Sequence, residues 1–221
     1  MFQNRSEAGR RLAAVLADEA AGRPVVLALP RGGVPVAAPV ARALKAPLGL
    51  VLVRKIGAPG NPELAIGAVA EAAGSGSVVT ARNEPLIAAL GVDEATFAAL
   101  RAVKVDELKA RHARYMSGRA AVDVAGRTVI LVDDGIATGA TVRAALTALA
   151  RSGATRVVLA APIAAPDAAA ALRPLVDRLA ILAEPADFSA VGQGYAEFEP
   201  VEDEKMIAIL DTADISGPSR V

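Results

Sequence analysis

The stretch that decides the fold is Val129-Ile-Leu-Val-Asp-Asp-Gly-Ile-Ala-Thr-Gly-Ala-Thr141. Four apolar residues of high β-propensity end in two adjacent carboxylates, Asp133 and Asp134, and a loop of small residues follows. The apolar residues after the loop have the i, i+3, i+4, i+7 spacing of one helix face: Val142, Ala145, Leu146 and Leu149. The sequence therefore predicts a buried strand, an acidic strand end, a loop and a helix.

Short apolar runs and alanine-rich helical patterns alternate along the rest of the chain. This alternation predicts an α/β fold with a parallel core sheet flanked by crossover helices, and continuous apolar runs indicate strands buried on both faces. The predicted strands are residues 25–29, 48–53, 128–132, 156–160 and 179–183. The predicted helices are residues 5–20, 36–44, 93–115, 138–150 and 168–175.

Two segments complicate this pattern. Pro39 fits the second helix only if that helix starts near Val36, because proline in a helix interior costs about 3 kcal/mol. Residues 66–80 are predicted to form a further strand pair, with its turn at residues 74–76.

The small-residue loop has the properties of a phosphate cradle. Small residues let backbone N–H groups approach a phosphate, and a helix start adds unpaired donors and a favourable dipole. Asp133 and Asp134 would repel a phosphate but suit sugar hydroxyls, directly or through a hydrated metal. A ribose 5-phosphate group carries both features. The alternative is a hairpin turn at Asp134-Gly135, against which the following helical pattern argues.

The whole stretch resembles the motif by which type I phosphoribosyltransferases bind 5-phosphoribosyl-1-pyrophosphate (PRPP). Gly135 departs from that motif, because an apolar residue is more usual there. By this resemblance Asp133 and Asp134 hold the ribose hydroxyls and bind Mg²⁺ through water, and residues 137–141 bind the 5-phosphate. The predicted PRPP-binding residues are Asp133, Asp134, Gly135, Ala137, Thr138, Gly139, Ala140 and Thr141.

A second loop, Leu29-Pro-Arg-Gly-Gly33, follows the first predicted strand. The resemblance implies pyrophosphate binding by Arg31, Gly32 and Gly33, often with a cis peptide, here Pro30–Arg31, and a catalytic role for Arg31. Arg54 and Lys55, at the predicted end of the second strand, are implied to lie near the pyrophosphate. An ordinary glycine turn and a solvated charge pair are the alternatives.

The segments around the core suggest a loop and a hood. Basic residues end the helix at 93–115, where the family commonly has a mobile catalytic loop; His112 shares a face with Leu108 and is interpreted as packing. By resemblance, Phe188 first and Tyr195 second contact the base of an acceptor. Ala137 replaces the acid of hypoxanthine-guanine enzymes, which argues against a 6-oxopurine acceptor.

Composition excludes several classes of site. The 221 residues contain no cysteine and one histidine, which excludes disulfides, thiol nucleophiles and His-rich metal sites. Lys plus Arg (24) equals Asp plus Glu (24), which argues against a general nucleic-acid surface. There is no G-x-x-x-x-G-K-[ST] motif and no G-x-G-x-x-G after the first strand.

Together these features predict one phosphoribosyltransferase domain over residues 1–221. Its core is predicted at about residues 23–184, its hood at about 1–22 and 185–210, and a frayed tail at 211–221. The resemblance implies Mg²⁺-dependent transfer of ribose 5-phosphate from PRPP to a nitrogenous acceptor, a nucleobase by preference, in nucleotide metabolism. A PRPP-sensing regulator of the same fold is the alternative. We expect a cytoplasmic protein without a membrane segment, which could form a homodimer.

Overall fold

The computed structural model describes residues 1–73 and 75–213. Within it the chain divides into two compact units. The first unit contains residues 1–50, 122–139 and 153 onward, and the second contains residues 51–121 and 140–152.

The strands form one seven-stranded sheet in the order β4-β3-β2-β1-β5-β6-β7. Their bounds are β1 Val25–Ala28, β2 Leu48–Ala58, β3 Asn61–Ala72, β4 Val79–Arg82, β5 Thr128–Val132, β6 Arg156–Ile163 and β7 Arg178–Ala183. The helices are α1 Arg5–Val15, α2 Gly33–Leu44, α3 Glu84–Ala89, α4 Glu94–Tyr115, α5 Ala140–Leu149, α6 Pro166–Leu172 and α7 Asp203–Ala213. The predicted α/β fold with a parallel core sheet flanked by helices is confirmed, and the whole sheet is mostly parallel.

In the first unit, β2, β1, β5, β6 and β7 pair in parallel. The central strands β1 and β5 are almost wholly buried, which explains their continuous apolar runs. The chain order reverses between β1 and β5, since β2 lies on one side and β6 on the other. In open α/β sheets such a switch point opens a crevice beyond the carboxyl ends of the strands. The loops after Ala28 and Val132 begin at that edge.

The second unit contains the antiparallel part of the sheet, in which β3 pairs with both β2 and β4. The predicted strand pair at residues 66–80 is present as β3 and β4, which together extend beyond the predicted range. Gly74 of the predicted turn lies outside the described residues. The prediction that Arg54 and Lys55 end the second strand is wrong. β2 continues to Ala58, and these residues pair with Val69 and Ala68 inside the ladder.

Three helical predictions need correction. The second helix starts at Gly33, so Pro39 lies inside it. Helix α1 packs closely there: a Cβ on Gly9 would lie 2.3 Å from the Val36 carbonyl oxygen and 3.1 Å from Pro39 Cγ. The first helix ends at Val15 and continues as a 3₁₀ helix. Residues 211–213, expected in a frayed tail, belong to α7, and residues 214–221 lie outside the described chain.

No helix among the described residues is both long enough and apolar enough to cross a membrane.

Candidate functional site

The acidic doublet after β5 lies directly against the glycine loop after β1. A Cβ on Gly32 would lie 2.0 Å from Asp134 Oδ2, and one on Gly33 would lie 2.8 Å from the Val132 carbonyl oxygen. Gly32 has φ −61° and ψ −33°, which other residues adopt freely, so here glycine is required for space and not for its dihedral angles. The structure thus brings together two loops that the sequence separates by about 100 residues.

Asp134 is held by residues of the predicted hood. The Nε of Arg5 donates to Asp134 Oδ2 at 2.8 Å, and the side chains are only 10% and 15% exposed. The hydroxyl of Tyr195 donates to the Asp134 carbonyl oxygen. Sequence reasoning missed Arg5. Its contact spans 129 residues, and the only local signal was its place beside Asn4, the residue that caps α1.

Asp133 is in a different electrostatic environment. Its Oδ1 accepts a hydrogen bond from the Asp134 N–H at 2.9 Å. Burial first, and the neighbouring charge of Asp134 second, raise the pKa of the Asp133 carboxyl well above its usual value. Part of the residue still reaches solvent, which moderates this rise. Ligand sites commonly contain a carboxyl group whose pKa is raised in this way.

The loop from Gly135 to Gly139 is open at its tip and tightly packed at its ends. Ala137 and Thr138 are exposed, whereas a Cβ on Gly135 would lie 2.3 Å from Val191 Cγ1. Val191 therefore fills the space of the apolar side chain that the motif usually has at position 135. Gly139 has φ +72°, a conformation that favours glycine.

This geometry leaves one candidate backbone donor at the exposed tip of the loop and another at its buried end. Among the described residues, no backbone acceptor is recorded for the N–H groups of Ala137 and Gly139. Helix α5 begins at Ala140, whereas the prediction placed its start at Thr138.

The second predicted loop has the expected backbone and an unexpected partner. The predicted cis peptide between Pro30 and Arg31 is present. The Arg31 guanidinium lies 3.5 Å from Asp203 and 3.6 Å from Glu202, at the start of α7, and its side chain is 39% exposed. Both contacts are long and the Arg31 side chain is partly exposed, so they hold Arg31 only weakly.

The predicted basic residues of the second unit make contacts of their own. Arg54 pairs with Glu107 at 2.9 Å, yet its Nε is buried without a hydrogen-bond partner among the described residues. Lys55 is exposed. An unsatisfied guanidinium nitrogen requires an explanation, and an anion is one. The basic run that was expected to include a mobile loop lies largely in the continuous helix α4.

The single histidine, His112, contacts a buried carboxylate inside the second unit. His112 Nδ1 lies 2.7 Å from Oε2 of Glu71, which is 1% exposed and also accepts from the Gly76 N–H at 3.1 Å. The pair satisfies a buried carboxylate. The interpretation of His112 as a packing residue missed this polar contact.

The aromatic residues of the hood form a small core. Tyr195 is 5% exposed, and its ring contacts Phe2 and stacks on Phe198 at a centroid distance of 5.1 Å. Phe188 packs on the edge of this cluster and remains half-buried. The contacts of Tyr195 are thus with the hood and with Asp134, whereas Phe188 keeps surface that a ligand could contact.

The doublet fits Mg²⁺ in one particular way. The described residues contain no group of three or more His, Asp or Glu side chains able to hold a metal ion. Mg²⁺, however, is usually bound through one or two carboxylates together with substrate phosphates and water. Asp133 and Asp134 supply that number of carboxylates, with Asp134 Oδ2 already paired with Arg5. The site therefore suits an ion that arrives with a phosphorylated ligand.

Comparisons with known proteins identify the family of this chain. A family model described as "Phosphoribosyl transferase domain" matches residues 2–194. Two Mycobacterium tuberculosis proteins named "Putative phosphoribosyl transferase", from strains CDC 1551 / Oshkosh and ATCC 25618 / H37Rv, are each 43% identical over 213 residues. These matches cover 96% of this chain and 47% of each relative, so the chain spans about half the length of the curated relatives it matches.

A solved structure shares the fold over almost its whole length. The crystal structure of the protein TT1426 from Thermus thermophilus is 44% identical in sequence, with a TM-score of 0.81, covering 95% of this chain and 97% of that chain. The family model matches well over half of the residues, and the strands that flank the doublet are parallel, as predicted. This chain therefore belongs to the phosphoribosyl transferase family and shares its α/β fold with the solved structure of TT1426.

Proposed function

We propose that this chain transfers the 5-phosphoribosyl group of PRPP to a nitrogenous acceptor and releases pyrophosphate. The acceptor that we propose is a nucleobase. One observation carries the proposal: the close approach of Gly32 to the Asp134 carboxylate, at the switch point between β1 and β5. A sugar bound beyond those strand ends would meet carboxylates on one side and the glycine loop on the other. Family membership supports the same reaction class.

In the proposed reaction the acceptor nitrogen bonds to the anomeric carbon, and pyrophosphate leaves with the electron pair of the broken C–O bond. Asp133 and Asp134 hold the ribose hydroxyls, and the N–H groups of the loop from Gly135 to Gly139 hold the 5-phosphate. Arg31 stabilises the charge that develops on the leaving group. Mg²⁺ held by the doublet through water would neutralise part of that charge. Positioning supplies the catalysis, and no covalent nucleophile is needed.

The roles of Arg54 and Lys55 in pyrophosphate binding stay predictions, as does the contact of Phe188 with the acceptor. The buried, unsatisfied Nε of Arg54 supports an anionic partner for that residue. The acceptor is proposed to lack the 6-oxopurine pattern, because Ala137 is exposed at the loop tip and offers no acid to such a base.

A screen for pyrophosphate release tests the proposal. The chain would be supplied with PRPP and MgCl₂ and with each common nucleobase in turn. We expect release with at least one base and loss of that release in Asp133→Asn. Binding of PRPP without release for any base would favour the PRPP-sensing alternative, and absence of PRPP binding would contradict both.

A further inference from the structure

The side chain of Arg5 is fixed by contacts on three sides. Besides Asp134, its guanidinium donates to the Glu199 carbonyl oxygen at 2.8 Å and lies 3.8 Å from the centroid of the Phe198 ring. A planar guanidinium with two directed bonds and a stacked face has little freedom to rotate. Since Arg5 is fixed, the carboxylate that it contacts is fixed as well.

The remaining surroundings of Asp134 complete this restraint. The Gly32 backbone blocks one side of the carboxylate, and the Tyr195 hydroxyl holds the carbonyl oxygen of the same residue. Oδ2 is thus engaged by Arg5, whereas Oδ1 contacts no basic side chain among the described residues, and the carboxyl of Asp133 lies within hydrogen-bonding reach of the Asp134 side chain. The permanent positive charge of Arg5 also offsets the repulsion between the adjacent carboxylates.

We propose that Arg5 is a positioning residue, which turns Asp134 so that its second oxygen meets the 2-hydroxyl of ribose. The proposal rests on the proposed function, because it assigns to Asp134 the sugar contact described there. The proposal also assigns the hood a role in the sugar site. Phe198 and Glu199 of the hood contact the Arg5 guanidinium, and Arg5 in turn pairs with Asp134 of the doublet.

The test compares two ligands that differ by one hydroxyl. Binding of ribose 5-phosphate and of 2-deoxyribose 5-phosphate, each with MgCl₂, would be measured by calorimetry on wild type and Arg5→Gln. We expect wild type to prefer the ribose compound by roughly tenfold, as for one lost hydrogen bond to a charged group. In Arg5→Gln the preference should fall to within about twofold, with phosphate binding largely retained. A general structural defect would weaken both ligands alike.

Two further variants make the assignment specific. In a double-mutant cycle with Asp134→Asn, Arg5→Gln should add little, because both substitutions remove the same restraint. Arg11→Gln is the matched control: Arg11 lies on the same helix, contacts Glu7 and stacks on Phe2, but has no recorded contact with Asp134. That control should keep the ribose preference of wild type.

The possible results separate a failure of the positioning role of Arg5 from a failure of the proposed function. A wild-type preference retained in Arg5→Gln, or additive effects in the cycle, overturns the positioning role alone. Wild type that binds neither sugar phosphate nor PRPP overturns the proposed function and the positioning role with it. If Arg5→Gln does not fold, Arg5→Lys takes its place, because lysine keeps the positive charge but lacks the two directed donors of the guanidinium. Arg5→Lys should show a reduced preference for ribose 5-phosphate. An unchanged preference in Arg5→Lys counts against the proposal.

Discussion

Replacing Gly32 with alanine perturbs the candidate site through a single methyl group. The backbone of Gly32 is in an ordinary helical region, so alanine adds no dihedral strain. The added Cβ would instead lie 2.0 Å from Oδ2, 2.5 Å from Cγ and 3.0 Å from Oδ1 of Asp134. These separations are far below contact distance, and the short Asp134 side chain must move.

The magnitude follows from what Asp134 gives up when it moves. Its bond with Arg5 is a hydrogen bond between charged groups, for which about 1.5–3 kcal/mol is typical, and the 10% exposed Arg5 would lose that partner. We therefore expect the free energy of unfolding to fall by about 1–3 kcal/mol. Loss of the sugar contact should also weaken PRPP binding by about tenfold to a hundredfold, since each 1.4 kcal/mol is a factor of about ten.

Urea unfolding and PRPP calorimetry would measure the two effects, with two glycine controls. A Cβ on Gly22 meets only Thr128 Oγ1 at an ordinary 3.6 Å, so Gly22→Ala should change neither quantity. Gly9→Ala meets the Val36 carbonyl oxygen at 2.3 Å and should lower stability with little effect on PRPP affinity. The reasoning is refuted if Gly32→Ala binds PRPP as wild type does, or if the stability losses of Gly32→Ala and Asp134→Ala add in the double variant, because both substitutions should remove the same bond to Arg5.

Three more substitutions follow from the same structure. Because the pKa of Asp133 in the folded chain is raised above 3.8, its ionised form disfavours folding at neutral pH, and this penalty disappears as the pH falls towards 3.8. Asp133→Asn should therefore raise the thermal midpoint at about pH 7 without ligand, and the gain should shrink on acidification; a gain that is constant with pH would contradict this. Tyr195→Phe leaves the Asp134 carbonyl oxygen without its donor and should cost about 1–3 kcal/mol in urea unfolding, whereas an unchanged midpoint would show that bond to be unimportant. His112→Ala removes a partner from the buried Glu71 and should destabilise the chain by about 1–3 kcal/mol, and His112→Gln by less; equal losses would mean that the contact is only packing.

The sequence predicted the parts of the molecule that depend on local pattern. The strand Thr128–Val132 has the predicted bounds, because a continuous apolar run ending in two carboxylates has one natural stopping point. The helix Glu94–Tyr115 was predicted within one residue, since its capping residue Asp93 precedes a long helical pattern. The glycine loop after the first strand was predicted with a cis peptide at Pro30–Arg31, which is present, whereas its contact with Asp134 appears only in the folded chain.

The missed features depend on tertiary contacts. Arg54 and Lys55 looked like a strand end, but β2 is only partly buried there and continues beyond them in an antiparallel ladder. Helix α7 was missed although its buried residues are spaced at helical intervals: Met206, Leu210 and Ala213. The pairing of Arg5 with Asp134 had no pattern to reveal it, because only the folded hood brings α1 to the end of β5.

Calorimetric titration of PRPP with MgCl₂ into wild type and Asp133→Asn/Asp134→Asn tests the central claim most directly. Loss of two hydrogen bonds to charged groups, about 1.5–3 kcal/mol each, should weaken binding at least about a hundredfold in the double variant, with circular dichroism showing that it remains folded. Equal affinity of the two proteins for PRPP would contradict the assignment of the site to the end of β5.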